Sequence, residues 1–210
     1  MANVNVGFGL KPINTAGSTP ATQGTNSYFI DSSASAIYQG SPVIATNGGE
    51  IAVSSSASGD TLKFVGVFAG CEYVSSTTGK KVFSNYWPGS GADTNFDIIG
   101  FVYDNPMQRF IICSDASLTD KATAIATIFE GAEFSAESGK GAADGSTTTG
   151  ISAAQLDVST VDASDLSHPL KIVGILDDAE NNDFTAAGIP LIVMINNHAL
   201  LAGSAEATVG

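Results

Sequence analysis

The sequence predicts an all-β fold: a small β-barrel or β-tulip-like knob of short antiparallel strands, with an extended N-terminal arm and at most one short helix. Short alternating apolar runs lie between turn residues, 23 of the 210 residues are glycine, and only 14% are charged. Apolar runs punctuated by Gly, Asn and Ser are the pattern of strands joined by tight turns. With few ion-pairing residues, the polar surface must come from hydroxyls, amides and backbone. Small side chains of this kind lose little entropy on contact, which suits a surface that meets other proteins.

Residues 1–27 carry a single charge, Lys11, among Gly, Asn, Thr, Ser and Pro. Val4, Val6, Phe8 and Leu10 alternate, as they would in a strand added to another sheet, and Ile13 follows. The segment reads either as a loose terminus or as an arm whose Val6, Phe8, Leu10 and Ile13 anchor on a neighbouring subunit. Under the second reading, deleting residues 1–13 leaves a folded barrel that no longer binds its assembly. Residues 28–200 are expected to form the β-barrel-type domain, with a loop or subdomain insertion near 114–165, and 201–210 a flexible tail.

Strands are expected at Ser27-Tyr-Phe-Ile30, Ser35-Ala-Ile-Tyr38, Pro42-Val-Ile-Ala45 and Glu50-Ile-Ala-Val53, the last two joined by the turn Asn47-Gly-Gly49. Three later runs, around Gly66, Gly100 and Gly174, place a glycine inside a β-branched or aromatic strand. Such glycines permit a bulge or the close approach of another backbone, as at the corners of small barrels. No Gly-x-x-x-x-Gly-Lys or Gly-x-Gly-x-x-Gly pattern makes them phosphate loops. Residues 98–113 read as a hairpin turning at Asp104-Asn-Pro106. Leu118, Ala122, Ile125 and Phe129 follow at helical spacing, with Ser117 or Thr119 as N-cap. Residues 135–151 read as a long loop, and Leu170 to Leu176 and Ile189 to Ile195 as the last strands.

Eight basic against 21 acidic residues give a formal net charge of −13, which repels phosphate backbones and argues against a nucleic-acid partner. The opening residues lack a basic segment followed by a continuous apolar one, so no export signal is expected. The apolar run from Ile189 to Ile195 is far below the roughly 20 residues of a membrane helix, so no membrane partner is expected either. Cys71 and Cys113 sit in apolar runs outside any Cys-x-x-Cys pair and read as reduced packing residues, with a disulfide or a reactive thiol as alternatives.

Catalytic chemistry finds little support. The histidines, His168 and His198, read as surface or edge residues, and no Gly-x-Ser-x-Gly elbow accompanies the many serines. No catalytic, cofactor-binding or metal residue is assigned, and no cofactor is expected. Asp177, Asp178, Glu180 and Asp183 lack the EF-hand spacing and read as a solvated hairpin tip rather than a calcium site. Tyr86 and Trp87 are the candidates for surface interaction: an aromatic lid, a subunit contact or a platform for a sugar.

In order and spacing, several segments together resemble a family of small structural proteins in the heads of tailed phages. They are Gly7-Phe-Gly-Leu-Lys-Pro12, Tyr38-Gln-Gly-Ser-Pro-Val43, Val65-Gly-Val-Phe-Ala-Gly-Cys-Glu-Tyr73, Asp104-Asn-Pro-Met-Gln-Arg-Phe110, Thr149-Gly-Ile-Ser-Ala-Ala-Gln-Leu-Asp157 and Leu170-Lys-Ile-Val-Gly-Ile-Leu176. The resemblance implies a non-enzymatic decoration (cement) protein. Such a protein would be assembled in the host cytoplasm, bind the outer capsid surface of the virion, and bridge subunits of the major capsid protein, with self-association as a dimer or trimer open. The competing expectation is a glycan-binding adhesin or head-fibre module using Tyr86, Trp87 and the 135–151 loop.

Overall fold

The computed structural model describes residues 3–16, 24–54, 63–163 and 167–201. They form eleven strands: β1 (Lys11–Thr15), β2 (Asn26–Ile30), β3 (Pro42–Ala45), β4 (Ile51–Val53), β5 (Phe64–Val74), β6 (Lys81–Ser84), β7 (Ile98–Tyr103), β8 (Gln108–Cys113), β9 (Gly131–Ala132), β10 (Leu170–Ile175) and β11 (Pro190–Ile195). One helix, α1 (Lys121–Ala126), and a 3-10 turn at Val158–Thr160 complete the described elements. The fold is all-β, as the alternation and turn chemistry predict.

The strands divide into a six-stranded sheet, β3-β4-β2-β7-β5-β6, and a five-stranded sheet, β1-β8-β11-β10-β9. An added β3–β5 pairing closes the first sheet into a ring, β3-β4-β2-β7-β5. Closure removes sheet edges that would otherwise be left open. Ile30, Val43, Ile51, Phe68, Ile98 and Val102 fill its interior. The expected glycines serve this geometry. Register slips beside Gly70 in the β5–β7 pairing and beside Gly174 in the β10–β11 pairing, and an added side chain at Gly100 would meet Ile30, Ile51 and Phe68.

β5 is the wall shared by two cores. Val65, Phe68 and Cys71 face the barrel interior, whereas Phe64 and Val67 join the core of the second sheet with Phe110, Ile112, Leu170, Ile172, Leu191 and Val193. Residues 114–163 fall between β8 and β10. They cover the second sheet, contributing Leu118, Ala124, Phe134, Ala154 and Leu156 to its core.

Several elements differ from expectation. β7 and β8 follow one another but do not pair: β7 joins β2 and β5, and β8 joins β1 and β11. The intervening turn carries the chain from barrel to second sheet. It is held by buried Asp104, which accepts hydrogen bonds from Tyr28 Oη at 2.6 Å and Asn26 Nδ2 at 2.8 Å. The run 35–38 is no strand and makes only an isolated bridge, Ile37 to Trp87. The helix spans Lys121–Ala126 with Asp120 as its N-cap, accepting from the Thr123 amide, in place of Ser117 or Thr119. It buries Ala124 and leaves Ile125 and Phe129 exposed, because left-handed residues at Thr119 and Phe129 bracket it too closely for a longer apolar stripe.

The segment read as a loose terminus or as an arm anchored on a neighbour lies on its own domain. Asn3 Nδ2 donates to the Asp183 carbonyl at 2.8 Å, the Gly9 amide to Ala154 at 3.2 Å and the Leu10 amide to Gly40 at 2.9 Å, before β1 pairs with β8. At the crossing of the two glycines, Gly9 has φ of +69° and a Cβ there would lie 2.5 Å from the Gly40 carbonyl oxygen. Only glycine fits both the left-handed backbone and the close approach. Residues 24–27, also assigned to the arm, belong to or adjoin β2, and the expected tail from 202 onward lies outside the described residues. Gly9→Ala is therefore expected to destabilise the protein by about 2 kcal/mol or more, read as a lower urea midpoint; an unchanged midpoint contradicts the crossing.

Candidate functional site

Both histidines and both cysteines are built into the fold. Both histidines are buried rather than at the surface, His198 at 1% exposure and His168 at 8%. His198 follows β11, where the Asn197 carbonyl accepts from the Phe64 amide and the Ala199 amide donates back to Phe64, each at 2.8 Å. This ties the second sheet to the start of β5. Nδ1 of His198 accepts the Leu200 amide at 3.1 Å, so the ring is neutral and Nε2 carries its proton. His168 Nδ1 stands 3.5 Å from the Glu133 carboxylate.

Cys71 and Cys113 are free and buried, in agreement with their reading as packing residues. Burial pushes the Cys71 thiol up to about 12 and raises Cys113 as well, so neither is a ready nucleophile. The Cys113 thiol donates to the Val6 carbonyl at 3.6 Å, another tie to the N-terminal segment.

The acidic stretch joins β10 to β11, as expected, and two of its carboxylates are used locally. Asp178 accepts from the Glu180 amide and from Asn181 Nδ2, and Asp183 from the amide and hydroxyl of Thr185. These bonds favour the ionised forms and hold both carboxyls below their usual range. No group of three or more metal-ligating side chains occurs among the described residues. No helix among them is long and apolar enough to cross a membrane.

Of the roles expected for Trp87, the structure matches the aromatic lid and not the surface contact. The residue is fully buried, its Nε1 donates to the Ala34 carbonyl at 3.1 Å, and its ring meets Tyr73 edge-on with centroids 5.4 Å apart. The Pro88-Gly89 turn places the indole beneath residues 34–37, so it seals one side of the barrel core. Tyr86 remains half-buried, stacked on Tyr38 at 5.8 Å and 9°.

Two apolar surfaces bear on function. Between the sheets, beside the N-terminal segment, lies a groove of about 590 Å³ lined largely by apolar side chains, including Val4, Val6, Phe8, Ile111, Ile151 and Leu176. Of the proposed anchors, Leu10 is spent in the core, Phe8 and Ile13 are half-buried, and Val6 is 65% exposed together with Val4. The second surface, missed from sequence, is the outer face of the barrel, where Phe29 is 51% and Phe83 71% exposed. The available signal was that Tyr28-Phe29-Ile30 and Val82-Phe83 put apolar residues on both faces of their strands.

No protein-family model, curated protein or solved structure matches the chain.

Burial holds the His198 pKa below its usual 6.5, with the charge of Asp104 acting partly in the opposite direction. Below pH 6.5 the unfolded chain therefore binds a proton that the folded one excludes. Stability is full above that pH and falls as pH drops toward the lowered folded value, with a slope of up to about 1.4 kcal/mol per pH unit. Urea midpoints of wild type and His198→Gln between pH 7.5 and 5 should diverge, with the wild type losing more; parallel curves contradict a neutral buried ring.

Proposed function

We propose that this protein is a virion structural protein that binds the outer surface of a tailed-phage capsid and stabilises it by bridging coat subunits. The observation that carries this is the pairing of exposed Val4 and Val6 with an adjoining apolar groove, on a β-body whose net charge is −13. An exposed contiguous apolar surface on an otherwise polar protein is the usual mark of a protein contact. Its negative charge disfavours DNA and suits a position on the side of the shell away from the genome. The N-terminal segment, a strap across the domain, and the groove beside it engage one coat subunit and raise the effective concentration of any second contact with the next. The resemblance of the segments at 7–12, 38–43 and 170–176 to head structural proteins points the same way. A glycan-binding role loses Trp87 as a platform and keeps only the Tyr38–Tyr86 stack.

Deleting residues 1–13 is a poor test, because it takes Leu10 from the core and Lys11–Ile13 from β1. Surface changes avoid this. On mature heads of the phage carrying the gene, the protein should be found on the outer shell. Val4→Asp combined with Val6→Asp should lower its occupancy about tenfold or more, with unchanged thermal stability. A protein found only off the particle, or full occupancy by the double variant, would contradict the assignment.

A further inference from the structure

The register of the second sheet fixes what its outer face presents. Phe110, Ile112, Leu170, Ile172, Leu191 and Val193 belong to the core, so the residues beside them in each strand point away from it. One outer row runs Lys11, Ile111, Ile192, Gly174 across β1, β8, β11 and β10. The next runs Arg109, Met194, Lys171, Gly131 across β8, β11, β10 and β9. Lys11 is exposed, and Arg109, Lys171, Ile192 and Met194 are half-buried. Among the described residues no pairing closes this sheet into a ring.

The charge on this face is opposite to that of the molecule. Lys11, Arg109 and Lys171, three of the chain's eight basic residues, stand in these two rows, and neither row holds a carboxylate. No ion pair among the described residues uses them, whereas Lys81 and Lys140 are paired with Glu72 and Glu137. Arg109 Nε is enclosed and has no hydrogen-bond partner among the described residues. A cationic donor left so is costly, and a carboxylate is its strongest acceptor. Asp162 flanks the face, reached from Lys171 through Gly131 and so two strands away, roughly 10 Å. Asp178 lines the adjoining groove but accepts from the Glu180 amide and from Asn181.

The groove runs onto this face, because Lys11, Ile111 and Pro190 line it, and Pro190 pairs with Cys113 in the row beyond Ile111. Aliphatic surface and unpaired cations are therefore continuous. We propose that the outer face of the second sheet docks an acidic, apolar segment of a partner protein. Its aliphatic side chains lie on Ile111, Ile192 and Met194, and its carboxylates on Lys11, Arg109 and Lys171. The proposal rests on the reading of the groove as a protein contact and adds the chemistry of what docks there. The net charge of −13 disfavours carboxylates over the body as a whole, so this face also sets the side on which such a partner lands.

Fluorescence anisotropy of the full chain tests this with a labelled peptide of about ten residues, Glu alternating with Leu, beside the same peptide with Ser in place of Glu. At about 150 mM salt, where long-range repulsion is screened beyond roughly 8 Å, the Glu peptide should bind about fivefold or more tighter than the Ser peptide. Lys11→Gln and Lys171→Gln should each weaken the Glu peptide about threefold, and Arg109→Gln with Lys171→Gln about tenfold. The Ser peptide should be unaffected, and Lys121→Gln, on α1, should change neither. Exposed Lys11 keeps the test decisive where Arg109→Gln fails to fold. Equal affinity for the two peptides would overturn the proposal. So would a preference that survives Lys11→Gln combined with Lys171→Gln, or tighter binding of a single-stranded oligonucleotide of similar length. If the protein is absent from phage heads while the Glu preference holds, the capsid assignment falls and the docking face stands. If the Val4, Val6 double variant leaves the heads while the two peptides bind alike, the docking face falls and the capsid assignment stands.

Discussion

The crossing of Gly9 over Gly40 is the constraint on which the rest of the molecule depends. The Leu10 amide bonds the Gly40 carbonyl at 2.9 Å, and the Gly40 amide bonds the Phe68 carbonyl of β5 at 2.8 Å. One short chain of hydrogen bonds therefore runs from the N-terminal strap, through the loop before β3, into the wall shared by both cores. Leu10 enters the second core at that point, and β1 begins at the next residue. A side chain at either glycine would separate these backbones, and neither sheet could then keep its position on β5.

Much of this fold is legible in the sequence wherever a local rule decides. The β3–β4 hairpin follows from Asn47-Gly48-Gly49, with Gly49 at φ +80°, and β10 and β11 follow from their apolar runs around an acidic connection. The glycines inside Val65-Gly66-Val67 and Ile99-Gly100-Phe101 announce close packing inside a small barrel, and the ring of pairings shows it. Partner choice is what local rules leave open. Asp104-Asn-Pro106 marks a turn, yet nothing local says that β7 turns away from β8. That depends on Tyr28 and Asn26 grasping the Asp104 carboxylate from 76 and 78 residues away in sequence.

The interaction surfaces were legible in part for a related reason. Alternation from Val4 to Leu10 identifies an extended apolar segment, but not whether its side chains meet a neighbour or its own body; the structure divides them, with Val4 and Val6 outside and Leu10 inside. Trp87 beside Pro and Gly fits a lid, a subunit contact or a sugar platform equally well in sequence, and the fold uses it to close the barrel core. Phe29 and Phe83 become visible as a surface only once β2, β7, β5 and β6 are aligned, because they are far apart in sequence. What emerges is a body whose histidines and cysteines are buried, and whose exposed apolar residues include Val4 and Val6 on the N-terminal segment and Phe29 and Phe83 on one barrel face.

Native-state amide hydrogen exchange tests the central constraint most directly. If the strap is part of the cooperative fold, the Leu10 amide exchanges only with opening free energies close to those of the β5 amides, near the global stability. Exchange of Leu10 at the rate of a fraying terminus, while β5 stays protected, would contradict the account.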